Sequence, residues 1–113
     1  MAALLAVTEE TFEQEVLRSS TPVVLDFWAE WCVPCRMVTP VLEELAVTYA
    51  GRLRFVAVDT DEQADLARRY GIGSIPTLSV FADGELVRSV VGAREKRAYI
   101  AELDGALAEI ATR

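Results

Sequence analysis

The sequence contains no histidine and only two cysteines among its 113 residues. Without histidine, neither a Ser-His-Asp triad nor a Cys-His nucleophile can be assembled. A histidine-ligated metal site is excluded for the same reason. Chemistry in this chain therefore has to rest on Cys, Asp, Glu, Lys or Tyr side chains.

Long apolar stretches are missing as well, since no run reaches the roughly 18 residues that a membrane-spanning helix needs. Residues 1–7 are apolar, but they lack the positive start and the length of a secretory signal. We interpret them as a first strand, not as a targeting segment, and expect no membrane association. The expected location is therefore the cytoplasm, where structural disulfides are rare.

Basic residues are the minority, with 11 Lys and Arg against 18 Asp and Glu and a formal net charge of −7. So acidic a surface repels phosphate backbones, and we expect no nucleic-acid partner. The chain is 52% hydrophobic and 26% charged, a balance that fills a core and keeps it hydrated. Its length fits one domain, so we expect a single domain over residues 1–113. We also expect the chain to be a monomer.

Apolar periodicity predicts an α/β fold with the element order β-α-β-α-β-α-β-β-α. The predicted strands are residues 4–7, 23–28, 53–58, 77–82 and 85–91. The first predicted helix follows Thr8, which is its N-cap. The second covers residues 32–50 and is kinked at Pro40. The third covers residues 61–70, with Thr60 or Asp61 as its cap, and the fourth covers residues 94–110. Strands joined through helices favour parallel pairing, whereas the Asp83-Gly84 turn predicts an antiparallel hairpin. The expected sheet is therefore mixed, with helices on both faces.

Both cysteines lie in Trp31-Cys32-Val33-Pro34-Cys35, between a buried strand and a long helix. The free N–H groups and dipole of a helix start stabilise a thiolate, and Cys32 at the tip gains most from them. Cys35 follows one turn later on the same side, close enough to bond to Cys32. The spacing predicts an exposed nucleophile with a sheltered resolving thiol.

Three other interpretations of the pair remain open. A structural disulfide is disfavoured, because so short a loop removes little entropy from the unfolded chain. A zinc site needs four ligands, which this chain supplies only if the metal bridges two copies. Two buried thiols without function are the third interpretation, but the flanking Trp31 and Pro34 favour an exposed turn. Redox use is the interpretation that we prefer.

Five short motifs follow one another along nearly the whole chain. They are residues 24–35 around the cysteines, Tyr70-Gly71-Ile72, Ile75-Pro76-Thr77, Asp83-Gly84 and Val91-Gly92. In this order they resemble the thioredoxin family. The resemblance implies a three-layer α/β/α fold with a central mixed sheet, and a protein-disulfide reductase activity.

The resemblance also implies roles for single residues. Cys32 attacks a target disulfide, Cys35 resolves the mixed disulfide, and Asp26 is the buried base that takes the proton of Cys35. A desolvated carboxylate has a raised pKa, which suits this exchange, although a strand aspartate at an exposed edge is the alternative.

Pro76 matches the family's cis-proline, which holds a backbone edge open beside Cys32 for an extended substrate. An ordinary trans-proline at a strand start is the alternative. The implied docking surface is mostly apolar and consists of Trp31, Val33, Pro34, Ile75, Gly92 and Ala93.

Two positions depart from the family pattern. Val33 replaces the usual glycine between the cysteines, which changes docking and the reduction potential. Ala57 stands where the family often has a lysine reaching towards the buried aspartate. Without that cation, Asp26 should hold its proton more tightly, so its pKa should lie higher still.

The sequence has no Gly-rich phosphate loop and no set of metal ligands, so we expect the chain to bind no cofactor and no metal. Its implied partners are disulfide-containing proteins and an NADPH-dependent flavoprotein, thioredoxin reductase, that recycles it. Two other functions remain open: a binding module with incidental thiols, and an oxidase or isomerase. Oxidants of this fold often carry histidine between the cysteines, where this chain has Val33 and Pro34.

Overall fold

Five strands form one mixed sheet in the computed structural model, which describes residues 4–113. They are β1 (Leu5–Ala6), β2 (Val23–Trp28), β3 (Arg54–Asp59), β4 (Thr77–Ala82) and β5 (Glu85–Val91). Their order across the sheet is β1-β3-β2-β4-β5. β3 pairs parallel with β1 and β2, whereas β4 pairs antiparallel with β2 and β5. The predicted mixed sheet is confirmed, and β2 is its central strand.

Helices cover both faces of the sheet. They are a short π-helical segment (Glu13–Leu17), α1 (Val33–Thr48), α2 (Ala64–Arg69) and α3 (Lys96–Ala111). One apolar cluster joins α1 and α3 to one face, through residues such as Leu42 and Leu103. A second cluster joins the π-helical segment and α2 to the other face. The three-layer α/β/α arrangement is therefore confirmed.

Alternation along β2 decides which of its side chains face which layer. Val23, Leu25 and Phe27 belong to the cluster under α2, whereas Val24 belongs to the cluster under α1 and α3. Because successive strand residues point to opposite faces, Asp26 points towards α1 and α3.

Two predicted helices differ from the observed ones. The first is only the π-helical segment Glu13–Leu17, and Thr8 forms a turn before it, with its hydroxyl accepting from the Thr11 amide at 3.3 Å. α2 starts at Ala64 because the Asp59 carboxylate accepts from the backbone N–H groups of residues 61 and 62. Those bonds hold a turn where the helix was expected, so the predicted caps Thr60 and Asp61 are wrong.

The predicted hairpin turn is confirmed between β4 and β5. Asp83 and Gly84 have φ angles of 53° and 80°, the left-handed values that a two-residue turn of this kind requires. The long helix α1 also matches its prediction closely, beginning after Cys32 and continuing past Pro40 to Thr48.

Tyr99 links α3 to the turn that follows β5. Its side chain is fully buried, and its hydroxyl donates to the Gly92 carbonyl at 3.0 Å and accepts from the Arg94 amide at 3.2 Å. The change Tyr99→Phe removes both hydrogen bonds, so we expect it to lower the free energy of unfolding by about 1–2 kcal/mol. Urea denaturation measures this loss.

Tyr70→Phe is the matched control, since the Tyr70 hydroxyl makes no hydrogen bond within residues 4–113. We expect the control to change stability by less than about 0.5 kcal/mol. Similar losses in the two variants would contradict the assignment of the Tyr99 effect to its hydroxyl.

Candidate functional site

The two cysteines form a disulfide at the N-terminus of α1, with their Cα atoms 5.3 Å apart. Cys32 is the N-cap residue, and its extended backbone leads from the end of β2 into the helix. Its Sγ accepts a hydrogen bond from the Cys35 N–H at 3.2 Å. One free N–H of the helix start is therefore aimed at the sulfur of Cys32, as the spacing predicted.

Burial differs less between the two cysteines than the sequence predicted. Cys35 is fully buried, but Cys32 is also only 4% exposed, so the expectation of an exposed nucleophile is wrong. Trp28 and Ile75 pack against the pair and cover most of it. The Cys32 Sγ lies 3.9 Å from the Ile75 carbonyl oxygen. A target reaches only one edge of the Cys32 sulfur.

That edge opens into a shallow groove of about 550 Å³, here called the Cys32 groove. Its lining residues are Trp31, Cys32, Val33, Pro34, Gly73, Ser74 and Ile75. Trp31 and Val33 are large apolar side chains that remain 67% and 55% exposed. The structure thus brings four of the predicted docking residues together around Cys32.

The other predicted docking residues lie beside this groove and do not line it. The Ile75–Pro76 peptide bond is cis, as the resemblance implied, and Pro76 is buried directly before β4. The Pro76 carbonyl accepts from the Gly92 N–H at 2.8 Å, which fixes Gly92 next to it. Ala93 follows as an exposed residue.

Three further residues belong to this region and were not predicted from the sequence. Gly73 and Ser74 line the groove, and their position directly before Ile75-Pro76 was a signal that could have identified them. Asp61 accepts a hydrogen bond from the Trp31 indole N–H at 2.8 Å, which holds the exposed ring in place. No sequence signal joins these two residues, which are 30 positions apart.

Asp26 is buried in β2, with 3% of its surface exposed. Ala57 is its register partner on β3, so no cationic side chain stands opposite it. Among the described residues, nothing donates a hydrogen bond to its Oδ1. Desolvation raises the pKa of Asp26 from 3.8 to about 7. The rise in pKa predicted from desolvation is confirmed, and the further rise predicted from the absent lysine stays a prediction.

A cavity of about 500 Å³, here called the Asp26 cavity, lies between the sheet and α1. Asp26 lines it from β2, and Thr39 and Pro40 line it from α1. The Thr39 hydroxyl donates to the carbonyl oxygen of Cys35 at 3.1 Å. The cavity therefore connects the buried carboxylate to the helix turn that follows Cys35, with room for water.

In the part of the chain that the structure describes, residues 4–113, no three His, Cys, Asp or Glu side chains are grouped to hold a metal ion. None of its helices has the length and apolar character to cross a membrane.

The model of the thioredoxin family matches residues 3–105. Thioredoxin 1 of Synechococcus elongatus is 53% identical over 104 residues, which cover 92% of this chain and 97% of the relative. Thioredoxin 1 of a Nostoc species is 54% identical over 96 residues, covering 85% and 90%. The thioredoxin of Acidithiobacillus ferridurans is 48% identical over 105 residues, covering 93% and 97%.

The family model spans both cysteines, every strand, α1, α2 and the first ten residues of α3. The family exchanges disulfides with target proteins, is re-reduced by reductase partners and normally needs no bound cofactor. The chain belongs to the thioredoxin family and is a protein dithiol–disulfide oxidoreductase with Cys32 and Cys35 as its redox pair.

Proposed function

We propose that this chain works in the reducing direction, as a general reductant of protein disulfides. The observation that carries Cys32 as the attacking sulfur is the hydrogen bond from the Cys35 N–H to the Cys32 Sγ at the start of α1. In the reduced protein the same N–H stabilises a thiolate on Cys32, which is the species that attacks disulfides. The reducing direction rests on Val33 and Pro34 between the cysteines, where oxidants of this fold often carry histidine.

The reaction has two exchange steps that balance in electrons. First, the Cys32 thiolate attacks one sulfur of a target disulfide, which forms a mixed disulfide and releases the other target sulfur as a thiolate. Second, Cys35 loses its proton and attacks the Cys32 Sγ, which releases the second target thiolate. The target gains two electrons, and the chain ends with the Cys32–Cys35 disulfide seen in the structure.

Asp26 is the base for the second step in this proposal. Its pKa of about 7 lets the carboxylate accept a proton near neutral pH and return it to solvent afterwards. Cys35 is fully buried, so its proton needs an internal acceptor. The Asp26 cavity supplies a route from the Cys35 turn to the carboxylate by way of water.

The Cys32 groove is the proposed docking surface, and Pro76, Gly92 and Ala93 extend it. Its exposed Trp31, Val33 and Pro34 suit an apolar, extended segment around the target disulfide. The groove is too shallow to enclose a whole peptide. A shallow groove suits a protein that accepts many targets. The location that suits this reducing role is the cytoplasm.

The electron source in this proposal is thioredoxin reductase, which holds the FAD and draws on NADPH. The chain itself then carries electrons only in its two cysteine sulfurs and acts as a single-domain monomer. Insulin reduction with dithiothreitol as the electron source tests the proposal. We expect turnover well above that of dithiothreitol alone, and a rate equal to that background would contradict it.

Trp31 offers a test of the docking surface. Trp31→Ala removes an exposed apolar ring from the Cys32 groove and its bond to Asp61, so we expect KM for insulin to rise about 5- to 30-fold. The rate with a small aromatic disulfide should change little, because such a substrate needs less of the groove.

Met37→Ala is the matched control, since Met37 is 71% exposed on α1 and does not line the Cys32 groove. It should leave KM for insulin unchanged. A rise in KM for both substrates alike, or the same rise in both variants, would show that Trp31 does not act by docking the target.

A further inference from the structure

The Asp26 cavity shares no lining residue with the Cys32 groove. Its volume of about 500 Å³ lies within the range of pockets that bind small molecules. Most of its wall is apolar, with Leu4 and Ala6 from the first strand region, Trp28 from β2, Ala57 from β3 and Pro40 from α1. It is therefore a separate concave site, and disulfide exchange with a protein target does not require it to hold a ligand.

One polar group inside this cavity lacks a partner. The Asp26 carboxylate is 3% exposed, and its Oδ1 accepts no hydrogen bond from residues 4–113. A buried acceptor without a donor is costly, and a buried negative charge without a counter-charge is more so. A molecule that brings a positively charged donor to this oxygen would recover both losses.

The short side chain of Ala57 makes the space for such a molecule. Ala57 is paired in register with Asp26, so a longer basic side chain there would fill this part of the cavity and supply the charge itself. In this chain the position opposite the carboxylate is open, and a ligand can occupy it.

Charge around the cavity favours a cation as well. Glu30 and Glu43 line its more accessible part together with one cation, Arg36. The Arg36 guanidinium donates to the Glu30 carbonyl oxygen at 3.2 Å and so is held at the backbone there. The whole chain has a net charge of −7, which attracts cations and repels anions.

We infer that the Asp26 cavity binds a small organic amine, whose ammonium group donates to the Asp26 carboxylate and whose apolar body packs against Trp28 and Pro40. A neutral alcohol supplies a donor without the counter-charge, and a carboxylic acid adds a second negative charge. The inference does not rest on the role of Asp26 as a base or on the direction of disulfide exchange.

Amine binding and protonation of Asp26 should compete, because only the carboxylate attracts the ammonium group. The other charged or titratable side chains around Asp26 are Glu30, Arg36 and Glu43 at the cavity and Tyr99 on α3. Since the pKa of Asp26 is about 7, affinity for the amine should fall as the pH decreases through that value. Saturation with the amine should in turn lower the pKa of Asp26.

The test is a titration of the full oxidised chain, followed by heteronuclear NMR, with phenethylamine as the probe. Two matched probes, 2-phenylethanol and 3-phenylpropionate, keep the ring and change only the head group. Near pH 8 we expect phenethylamine to bind about tenfold or more tightly than the alcohol, and the acid to bind weakest. The perturbed resonances should include Trp28 and Ala57.

Two variants separate charge from space. Asp26→Asn should remove the preference for the amine over the alcohol, while Ala57→Leu should fill the cavity and weaken both. Equal affinities for amine and alcohol in the unaltered chain, or perturbations centred on the Cys32 groove, would overturn the inference. So would the absence of saturable phenethylamine binding up to about 10 mM. Insulin reduction by the unaltered chain, measured in parallel, reports on the proposed function independently.

Discussion

Replacing Cys32 by serine is expected to lower insulin reduction to below about 1% of the rate of the unaltered chain. Serine keeps the size of the residue but removes the only cysteine sulfur that a target can reach, because Cys35 is fully buried. A hydroxyl at the same position is too weak a nucleophile at neutral pH to attack a disulfide. The insulin assay with dithiothreitol as electron source measures this loss.

Cys35→Ser should lose turnover to a similar extent but stop at a different point. The Cys32 thiolate still attacks the target, and no second sulfur is present to resolve the mixed disulfide. A covalent complex with the target should therefore accumulate on a non-reducing gel and disappear on reduction. The double variant with both serines is the control, and it should trap nothing.

The division of roles between the cysteines depends on this contrast. A covalent complex formed by Cys32→Ser and absent from Cys35→Ser would reverse the two roles. Full turnover in Cys32→Ser would remove the sulfur chemistry from the proposed function altogether.

Asp26→Asn should stabilise the protein while it slows the reaction. The pKa of Asp26 is about 7 in the folded chain, whereas the unfolded chain should keep the ordinary value of 3.8. The folded state therefore binds the proton more tightly, so Asp26 costs stability as the pH rises from about 4 to 7. Above that range the cost is on the order of 4 kcal/mol.

Asparagine cannot ionise, so the variant avoids this cost and keeps only that of a buried amide. We expect the free energy of unfolding to rise by about 2–4 kcal/mol near pH 8, and the gain to shrink towards zero near pH 4. Urea denaturation at several pH values measures the difference between the variant and the unaltered chain. Asp83→Asn, at an exposed turn, is the control and should change stability by less than about 0.5 kcal/mol.

The same variant should reduce insulin about tenfold or more slowly at neutral pH, because Cys35 loses its proton acceptor. The mixed disulfide should then persist long enough to be captured by acid quenching. A stability gain that does not vary with pH, or a gain without any loss of rate, would contradict the assignment of Asp26 as an ionising base.

Much of this fold could be predicted because the local sequence and the tertiary structure favour the same elements. The apolar run over residues 23–28 is the central strand, Asp83-Gly84 forms the hairpin turn, and the Cys-x-x-Cys spacing coincides with a helix start. Each of these features depends on neighbouring residues, so a single sequence contains it.

What could not be predicted depends on contacts between distant residues. Trp28 and Ile75 bury Cys32, the Asp59 side chain delays the start of α2, and Asp61 holds the Trp31 ring. The Asp26 cavity is of the same kind, because its wall combines four elements that only the folded chain brings together. Local patterns carry no information on such neighbours.

The register between β2 and β3 has a consequence for how such a protein can diversify. Residue 57 stands next to the acid at position 26 but contributes nothing to the Cys32 groove. A substitution at residue 57 changes the proton affinity of the buried carboxylate and leaves the surface that contacts a target unchanged. Target specificity and the rate at which the mixed disulfide is resolved therefore depend on separate sets of residues. Substitutions in one set need not affect the other.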